Sequence, residues 1–521
     1  MWKLMDARNF WSRSLFRRKE APKKLSKKSS TFRIRLLVTC CFLFAILTTP
    51  ILFLSYQSWI TKTMVGDNLD PTPWHPFAKP KLTYIKQRPR APKILQCTYL
   101  SCSLSLHNLF KPQKPQKPQF NAANPKSCPS YFQWIHEDLA PWRKTGITLN
   151  TIEEARNMAA FRVVIVDGRI YTEFYYHCVQ TRTMFTLWGL VMLLERYPGL
   201  MPDVDLMFDC MDRPRVRRKD YINTTWPPPP LFGYCTNGYH FDIPFPDWSY
   251  WGWEEVNIKP WDQQMHHIFK GSQKLNWSRR LPIAYWKGNP NVGAMVRTEL
   301  LNCNSTEKFN AQILQQDWKA EVAAGFKASD LAKQYGHRYK IYAEGYAWSV
   351  SFKYILACGS TVLLIDPEYL DFFMRGLQPL VQYWPIRRTK LCSSIKFVVE
   401  WGNNQTKRSE AIGKQGQEFL KDQLGMHNVY DYMLHLLQEY SRLQKFSPMV
   451  PSNAHEICRD SILCFAKPSQ RILLQQSDTH NLNIPPPCSM PLHKHDFIKA
   501  ILNQQRMGHI KVETWESNDK L

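Results

Sequence analysis

Residues 339–367 read YKIYAEGYAWSVSFKYILACGSTVLLIDP, a segment with the pattern of a strand–loop–helix–strand unit. Residues 339–343 alternate as a strand does, residues 349–358 have the apolar spacing of a helix, and residues 361–365 form an apolar strand. Gly359 follows the helix, where glycine commonly ends one. A strand, a helix and a second strand predict a parallel unit whose connecting loop lies at the carboxyl end of the first strand.

The loop of this unit is a candidate ligand site. Free backbone N–H groups at the start of a helix suit phosphate oxygens, and the hydroxyls of Ser349 and Ser351 could add contacts. Gly345 stands outside any G-x-G-x-x-G pattern, so a dinucleotide is not indicated. The alternative is a capped structural helix without a ligand.

A second loop repeats this theme in YWKGNPNVGAMVRTELL, residues 285–301. An apolar run ends at Lys287 and Asn289, and Arg297 opens a helical segment. These side chains can neutralise a diphosphate, and the fork of arginine matches phosphate oxygens. A solvated turn is the alternative.

The stretch PDVDLMFDCMDRP, residues 202–214, places carboxylates around a short strand. The D-x-D at residues 203–205 resembles a metal–diphosphate signature, but it leads directly into the strand. Asp209 and Asp212 follow the strand, where a carboxylate could take a proton from an acceptor hydroxyl. A helix cap or a salt bridge with a neighbouring arginine is the alternative.

Residues 246–261, PDWSYWGWEEVNIKPW, are rich in tryptophan. Flat apolar rings suit the faces of sugars, although buried aromatic packing is the more common use. His266 and His267 follow on the next helix, where no matched third ligand is evident, so they predict no metal site. The tryptophans concerned are Trp248, Trp251, Trp253 and Trp261.

The remaining periodic segments extend the α/β pattern. Residues 161–174 predict a hairpin with a tight turn at Asp167 and Gly168, and residues 182–196 predict an amphipathic helix. A helical stripe covers residues 429–443. Strands that alternate with helices in two blocks predict two doubly wound domains facing a cleft.

The net charge of +25 on 521 residues is unevenly distributed. Residues 1–35 hold twelve Lys and Arg against two acidic residues, so much of the charge precedes the body, which argues against a nucleic-acid-binding protein. Residues 36–56 are uncharged and long enough for one bilayer crossing. Positive charge before this span predicts a cytosolic N-terminus and a luminal body. A cleaved signal peptide is the alternative.

A Pro- and Lys-rich stem follows the apolar span, and its composition predicts an extended spacer. The predicted divisions are a cytosolic tail (1–35), a transmembrane anchor (36–56), the stem (57–127), an N-terminal Rossmann-like acceptor domain (128–281), a C-terminal Rossmann-like nucleotide-sugar domain (282–445) and a C-terminal extension (446–521).

Cysteines and sequons also favour a secretory compartment. Twelve cysteines follow the apolar span and none forms a C-x-x-C pair, so disulfides are expected rather than a zinc ribbon. Four N-x-S/T sequons predict glycosylation at Asn223, Asn276, Asn304 and Asn404.

Taken together, the chain resembles glycosyltransferase family 90, the Rumi/protein O-glucosyltransferase-like group, in its plant branch. The similarity runs in order from residue 128 to about residue 443. The matching stretches are CPSYFQWIHEDLAPWR, FTLWGL, PDVDLMFDC, FPDWSYWGW, NIKPW, AYWKGNP, HRYKIYAEGYAWSVS, KYILACGS, YWPI, SIKFVVEWGN and VYDYMLHLL.

The resemblance implies a GT-B fold, a UDP-sugar donor held mainly by the second domain, inversion at the anomeric carbon, and no catalytic metal or other cofactor. Asp212, in the MDRP turn, matches the catalytic base of the family. The residues that match donor contacts are Asn289, Arg297, Gly345, Tyr346, Ala347, Trp348, Ser349, Val350 and Ser351.

Some positions depart from the family pattern. Phe352 and Gly359 stand where the plant branch usually has glutamate and aspartate, and Cys178 is expected to be an extra thiol. If the glutamate touches the donor, Phe352 would change the sugar or weaken activity. The final residues NDKL are not an ER-retrieval signal, which with the anchor favours the Golgi over the ER.

The sequence therefore predicts a type II Golgi membrane enzyme, with the ER membrane as the second choice. It would move glucose or xylose from UDP-glucose or UDP-xylose to a hydroxyl on a protein or glycan. The alternative is a catalytically weak or inactive luminal binding protein that retains the transferase fold.

Overall fold

The computed structural model describes Cys102 and residues 126–293, 295–478 and 485–518. The predicted tail, the predicted anchor and nearly all of the predicted stem lie outside these residues. Among the helices of the described residues, none has the length and apolar character needed to cross a bilayer.

The first sheet is mixed. Its strands are β1 (Phe161–Val166), β2 (Arg169–Phe174), β3 (Val204–Phe208), β4 (Leu231–Gly233), β5 (Ile243–Pro244) and β11 (His455–Ile457), in the spatial order β11-β2-β1-β3-β4-β5. β1 pairs antiparallel with β2 and β3, whereas β3, β4 and β5 run parallel. The predicted hairpin is confirmed: Asp167 and Gly168 have φ values of 50° and 71°, as a two-residue turn of this kind requires.

The second sheet is entirely parallel. Its strands are β6 (Leu281–Gly288), β7 (Ala311–Gln315), β8 (His337–Tyr342), β9 (Thr361–Ile365) and β10 (Trp384–Ile386), in the order β10-β9-β8-β6-β7. The predicted strand–helix–strand unit lies at its centre. Its helix spans Ser351–Ala357 rather than residues 349–358, and Gly359 follows with a φ of 64°.

Helices cover both sheets. Those of the described residues are α1 (Trp134–Asp138), α2 (Leu149–Glu154), α3 (Arg182–Arg196), α4 (Trp261–Ser272), α5 (Met295–Leu301), α6 (Trp318–Ala323), α7 (Ser351–Ala357), α8 (Leu391–Asn404), α9 (Thr406–Gln423), α10 (Met426–Leu443), α11 (Arg459–Phe465), α12 (Pro468–Gln476) and α13 (His495–Ser517). α3 has the predicted bounds, and α10 contains the predicted stripe.

The part of the chain after residue 426 packs against both sheets. α10 packs among the residues of the first core: the Trp251 indole N–H donates to the Tyr430 hydroxyl at 2.9 Å. β11 pairs with β2 in the first sheet. In α13, the Trp515 ring lies 5.7 Å from that of Trp384 in β10, at the second core. The body has a first half built on the first sheet and a second half built on the second sheet. Residues after about 426 therefore hold these two halves together.

Four disulfides join described cysteines, namely Cys102–Cys458, Cys128–Cys488, Cys178–Cys210 and Cys303–Cys392, and Cys464 is also disulfide-bonded. The expectation of an extra thiol at Cys178 was wrong, because this residue bridges the segment before α3 to the loop after β3. Two of the four bridges close loops of more than 350 residues, which restricts the unfolded chain strongly.

Candidate active site

A cavity of about 270 Å³ is lined by residues that follow strands of both sheets. The acidic loop after β3 enters from the first sheet, and the loops after β6 and β8 enter from the second. The predicted base and donor-contacting residues that line it are Asp212, Lys287, Asn289, Arg297, Trp348, Ser349, Val350 and Ser351. The sequence patterns thus identified three separate segments that the fold brings together.

Three predicted residues lie beside this cavity rather than in its lining. Ala347 is buried, and Tyr346 is half-exposed with its ring 4.2 Å from the Arg213 guanidinium carbon. Arg213 also donates from Nε to the Tyr346 carbonyl at 3.1 Å. Gly345 directly precedes Tyr346, and the Arg213–Tyr346 contacts connect the acidic loop of the first sheet to the β8 loop of the second.

Asp212 presents a carboxylate to the cavity. One of its oxygens lies 3.0 Å from Nη1 of Arg182, and its side chain is 31% exposed. Arg182 itself donates to the Cys210 carbonyl at 2.9 Å and stacks on the Trp248 ring at 4.2 Å. The arginine fixes the direction of the carboxylate, and solvent access leaves it able to accept a proton from a substrate hydroxyl.

Asp209, three residues earlier, has a different environment. Its side chain is only 3% exposed, and it accepts hydrogen bonds from the Tyr176 hydroxyl and, at 3.0 Å, from the Met211 N–H. Burial raises the pKa of Asp209. It lies outside the cavity lining, so its contacts are those of a residue that shapes the loop.

The D-x-D pair also has structural partners. Asp205 is fully buried and receives two hydrogen bonds from Arg162, at 2.8 and 2.6 Å. Asp203 accepts from the Asp167 N–H in the hairpin turn at 2.9 Å. Both carboxylates lie outside the cavity lining, and their positions are explained by these contacts alone.

One cluster of potential metal ligands occurs within the described residues: Cys128, His435 and Cys488. The two cysteines form a disulfide, which removes the thiolates that a metal would need. His435 contacts the Cys488 carbonyl oxygen at 2.9 Å. This cluster is therefore a structural cross-link between residues 128 and 488.

Arg297 connects the β6 loop with the β8 loop. It donates from Nε to the Glu344 carbonyl at 2.6 Å, from Nη1 to the Asn289 carbonyl at 3.0 Å, and from Nη2 to the Ala343 carbonyl at 3.2 Å and the Ser349 hydroxyl at 3.4 Å. Burial lowers the pKa of Arg297. The side chain thus fixes both loops, and Arg297 is one of the residues that line the cavity.

The hydroxyls at the start of α7 form an ordered pair. Ser349 and Ser351 share a hydrogen bond of 2.9 Å, and the Ser349 N–H donates to the Tyr342 hydroxyl at 2.9 Å. In the β6 loop, the Asn289 side-chain oxygen accepts from the Asn291 N–H at 2.9 Å. The cavity wall is therefore held in shape by contacts within the chain, without a ligand.

Phe352 faces away from this wall. Its side chain is 1% exposed, 4.9 Å from the Tyr342 ring in an edge-on contact and 6.0 Å from the Phe373 ring in a stacked one. It is absent from the cavity lining, and Gly359 occupies the left-handed turn after α7. Both departures from the family pattern are therefore accommodated by local packing and turn geometry.

Several residues of the lining were not predicted, among them Arg182, Tyr285 and Lys340. Arg182 begins α3, where a cation is unfavourable because it opposes the helix dipole. An arginine at this position could therefore have been recognised from the sequence as a candidate functional residue. Lys340 lies within β8, is 2% exposed and donates to Gln334 at 3.2 Å. A lysine inside a strand was a comparable signal.

The tryptophan-rich segment has two roles. Trp251 and Trp261 are fully buried and belong to the core, as the packing alternative predicted. Trp248 and Trp253 line the cavity, although Trp248 is also almost fully buried.

The four sequon asparagines are all exposed: Asn223, Asn276, Asn304 and Asn404.

Comparisons with known proteins agree with these motifs. The sequence profile of Glycosyl transferase family 90 matches residues 123–516. Human protein O-glucosyltransferase 1 is 24% identical over 345 residues, covering 63% of this chain and 84% of the relative. The O-glucosyltransferase rumi of Drosophila pseudoobscura pseudoobscura is 24% identical over 340 residues, covering 62% and 79%.

A solved structure, Anabaena HepE in complex with UDP, aligns at a TM-score of 0.24 and 10% identity over 35% of this chain and 56% of that one. This likeness is too low to support an argument. The family assignment rests instead on the profile match, which covers most of the body. The chain belongs to glycosyl transferase family 90.

Proposed function

We propose that the protein is an inverting, UDP-sugar-dependent O-glycosyltransferase whose two sheets form the Rossmann-like domains of a GT-B enzyme. The observation that carries this proposal is the cavity itself. Asp212 from the first sheet and Arg297 from the second line the same space, beside the hydroxyls of Ser349 and Ser351. A base and a diphosphate-binding surface are the two parts that sugar transfer needs.

In this proposal, the diphosphate lies against Arg297 and the serine hydroxyls, with the sugar towards Asp212. The oxygen of the acceptor hydroxyl attacks the anomeric carbon from the face opposite UDP. Asp212 takes the proton of that hydroxyl during the attack. The bond between that carbon and the phosphate oxygen breaks, and UDP leaves with the electron pair. Arg297 stabilises the charge that grows on the leaving diphosphate.

Arg182 positions the base in this mechanism. Its 3.0 Å ion pair engages one oxygen of Asp212 and leaves the other for the acceptor hydroxyl. The indole of Trp248 supports the guanidinium at 4.2 Å, which restricts the arginine to this direction.

The names of the relatives support glucose as the sugar and a protein as the acceptor. Xylose is the second donor considered, since it lacks only the exocyclic CH₂OH of glucose. Such a difference is worth about 1–3 kcal/mol in a fitted pocket. A glycan remains the second acceptor class.

We also propose that the body is luminal, in a type II protein of the Golgi membrane. The exposed sequons and the disulfides support an oxidising secretory compartment. Protease added to sealed microsomes should then remove only the basic tail. Digestion of the whole body would contradict this topology.

The direct test is calorimetric titration with UDP, followed by a UDP-release assay with a panel of UDP-sugars and acceptors. The proposal expects UDP binding and transfer from one sugar donor above the others. Tight UDP binding without any transfer would favour a binding protein that retains the fold. Failure to bind UDP at all would contradict the proposal.

A further inference from the structure

A second cavity, of about 620 Å³, adjoins the first. We call it the lysine groove; its walls are residues 256–274 of the first half and residues 325–335 of the second. Val256, Ser329 and Leu331 line both cavities, so the groove is the immediate neighbour of the cavity that Asp212 lines. A molecule that occupied both cavities would contact the groove and the candidate base.

The two walls of the groove pack closely against each other at Gly271 and Ala332. An added Cβ on Gly271, in α4, would lie 2.1 Å from the Ala332 carbonyl oxygen. Glycine is what permits α4 to approach the turn Leu331–Lys333 this closely. The groove therefore lies where the two halves pack closely, next to the candidate active site.

The lining of the groove is strongly basic. Only one carboxylate belongs to the lining, that of Asp330, and it pairs with Lys333 at 3.5 Å. Within the described residues, the other four lysines have no carboxylate partner. The basic residues of the lining are Lys259, His267, Lys270, Lys274, Lys327 and Lys333.

This concentration of charge is local. Most of the net charge of +25 lies in residues 1–127, and residues 128–521 carry a net charge of only +6. The groove also affects its own histidine: burial lowers the pKa of His267, and Lys259 and Lys270 lower it further. The groove is therefore strongly positive, although the body as a whole carries only a modest net charge.

We propose that the lysine groove binds an acidic segment of the acceptor protein and so directs a nearby hydroxyl to Asp212. This inference rests on the proposed transferase function and adds that its acceptor protein carries an acidic segment. Lysines are flexible point charges, which suit carboxylates scattered along a peptide better than one rigid planar group. The tryptophans that could stack on sugars, Trp248 and Trp253, line the neighbouring cavity instead.

The test uses the full-length protein with all its disulfides and a short fluorescent poly-glutamate peptide as the probe. Binding is measured by anisotropy at two salt concentrations, with a poly-glutamine peptide as the neutral control. The groove variant is Lys270→Glu with Lys274→Glu. The matched control is Lys407→Glu with Lys421→Glu, on the exposed side of α9, which makes the same change in net charge.

We expect poly-glutamate to bind the wild type and the control, and to bind the groove variant at least about five-fold more weakly. The difference should shrink as salt increases, because these charges are exposed. Poly-glutamine should not bind. Equal binding to all three proteins, or no binding to the wild type, would overturn the proposal.

An acidic oligosaccharide is the rival occupant, and oligogalacturonate is its probe. Groove-dependent binding of oligogalacturonate without binding of poly-glutamate would overturn the assignment to a protein acceptor. UDP titration of the same three proteins separates the two proposals. Loss of poly-glutamate binding with intact UDP binding defines the groove, whereas failure of all three proteins to bind UDP contradicts the transferase function itself.

Discussion

The two loops that meet at the candidate active site are built in opposite ways. The acidic loop after β3 contributes one ionisable side chain, Asp212, held by an ion pair and anchored by the Cys178–Cys210 disulfide. The loop after β8 contributes hydroxyls and backbone, fixed by Arg297. In the proposed mechanism, proton transfer and diphosphate binding therefore depend on separate elements, so mutations should separate them.

The largest expected effect is that of Asp212→Asn. The substitution keeps the size of the side chain but removes the base, so transfer should fall by about 10²–10⁴-fold. UDP affinity should change little, because Arg297 and the serines are intact. Steady-state UDP-release rates with a fixed donor and acceptor measure the loss.

Asp209→Asn is the matched control for this prediction. Its carboxylate is buried and hydrogen-bonded, so the variant should melt at a lower temperature while the folded protein keeps most of its transfer rate. If Asp209→Asn abolishes transfer and a well-folded Asp212→Asn does not, the base has been assigned to the wrong residue.

Arg297→Ala should have the next largest effect. A charge-assisted contact with the diphosphate is lost, which should weaken UDP binding by about 10- to 100-fold and lower transfer as well. Because Arg297 also holds two loops, the melting temperature should fall. Calorimetry on folded protein separates the two effects.

Arg280→Ala is the control for the structural part of that change. Arg280 is a buried arginine directly before β6, and it donates to the carbonyls of Cys358 and Ser272, but it does not line the cavity. Its loss should lower the melting temperature without weakening UDP binding. Equal losses of UDP affinity in both variants would show that Arg297 acts only through the fold.

Arg182→Gln should have a smaller effect, confined to turnover. Without the 3.0 Å ion pair, Asp212 loses its fixed direction, and transfer should fall by about ten-fold with UDP affinity unchanged. Arg182→Lys should restore part of the rate, because it keeps the charge. A variant that loses UDP binding instead would place Arg182 on the donor side of the cavity.

Removal of metal should have no effect. Asp203 and Asp205 are engaged by the Asp167 N–H and by Arg162, so we expect EDTA to leave transfer unchanged. UDP release before and after chelation is the measurement. Restoration of lost activity by Mn²⁺ would contradict the metal-free mechanism.

The sequence predicted several elements of both sheets well, because each local pattern agreed with the final contacts. The hairpin, α3 and β9 appear with the predicted bounds. The strand–loop–helix order of residues 339–358 also placed the loop at the cavity, since parallel strands align their carboxyl ends.

Contacts between segments far apart in the chain could not be predicted in this way. The Cys178–Cys210 bridge and the Arg182–Asp212 pair depend on how α3 lies across β3, which no local spacing reports. Phe352 was expected to alter donor use if the glutamate it replaces touches the donor, but the direction of its side chain depends on Tyr342 and Phe373. Tertiary packing, not pattern, decides which face of a short helix meets the ligand.

The most direct test of the central claim is UDP titration of the wild type, Asp212→Asn and Arg297→Ala side by side. Separate roles for the two loops predict equal affinity for the wild type and Asp212→Asn, and a clearly weaker affinity for Arg297→Ala. If a well-folded Asp212→Asn loses UDP binding as strongly as Arg297→Ala does, the two loops do not divide the chemistry, and the proposed mechanism is wrong.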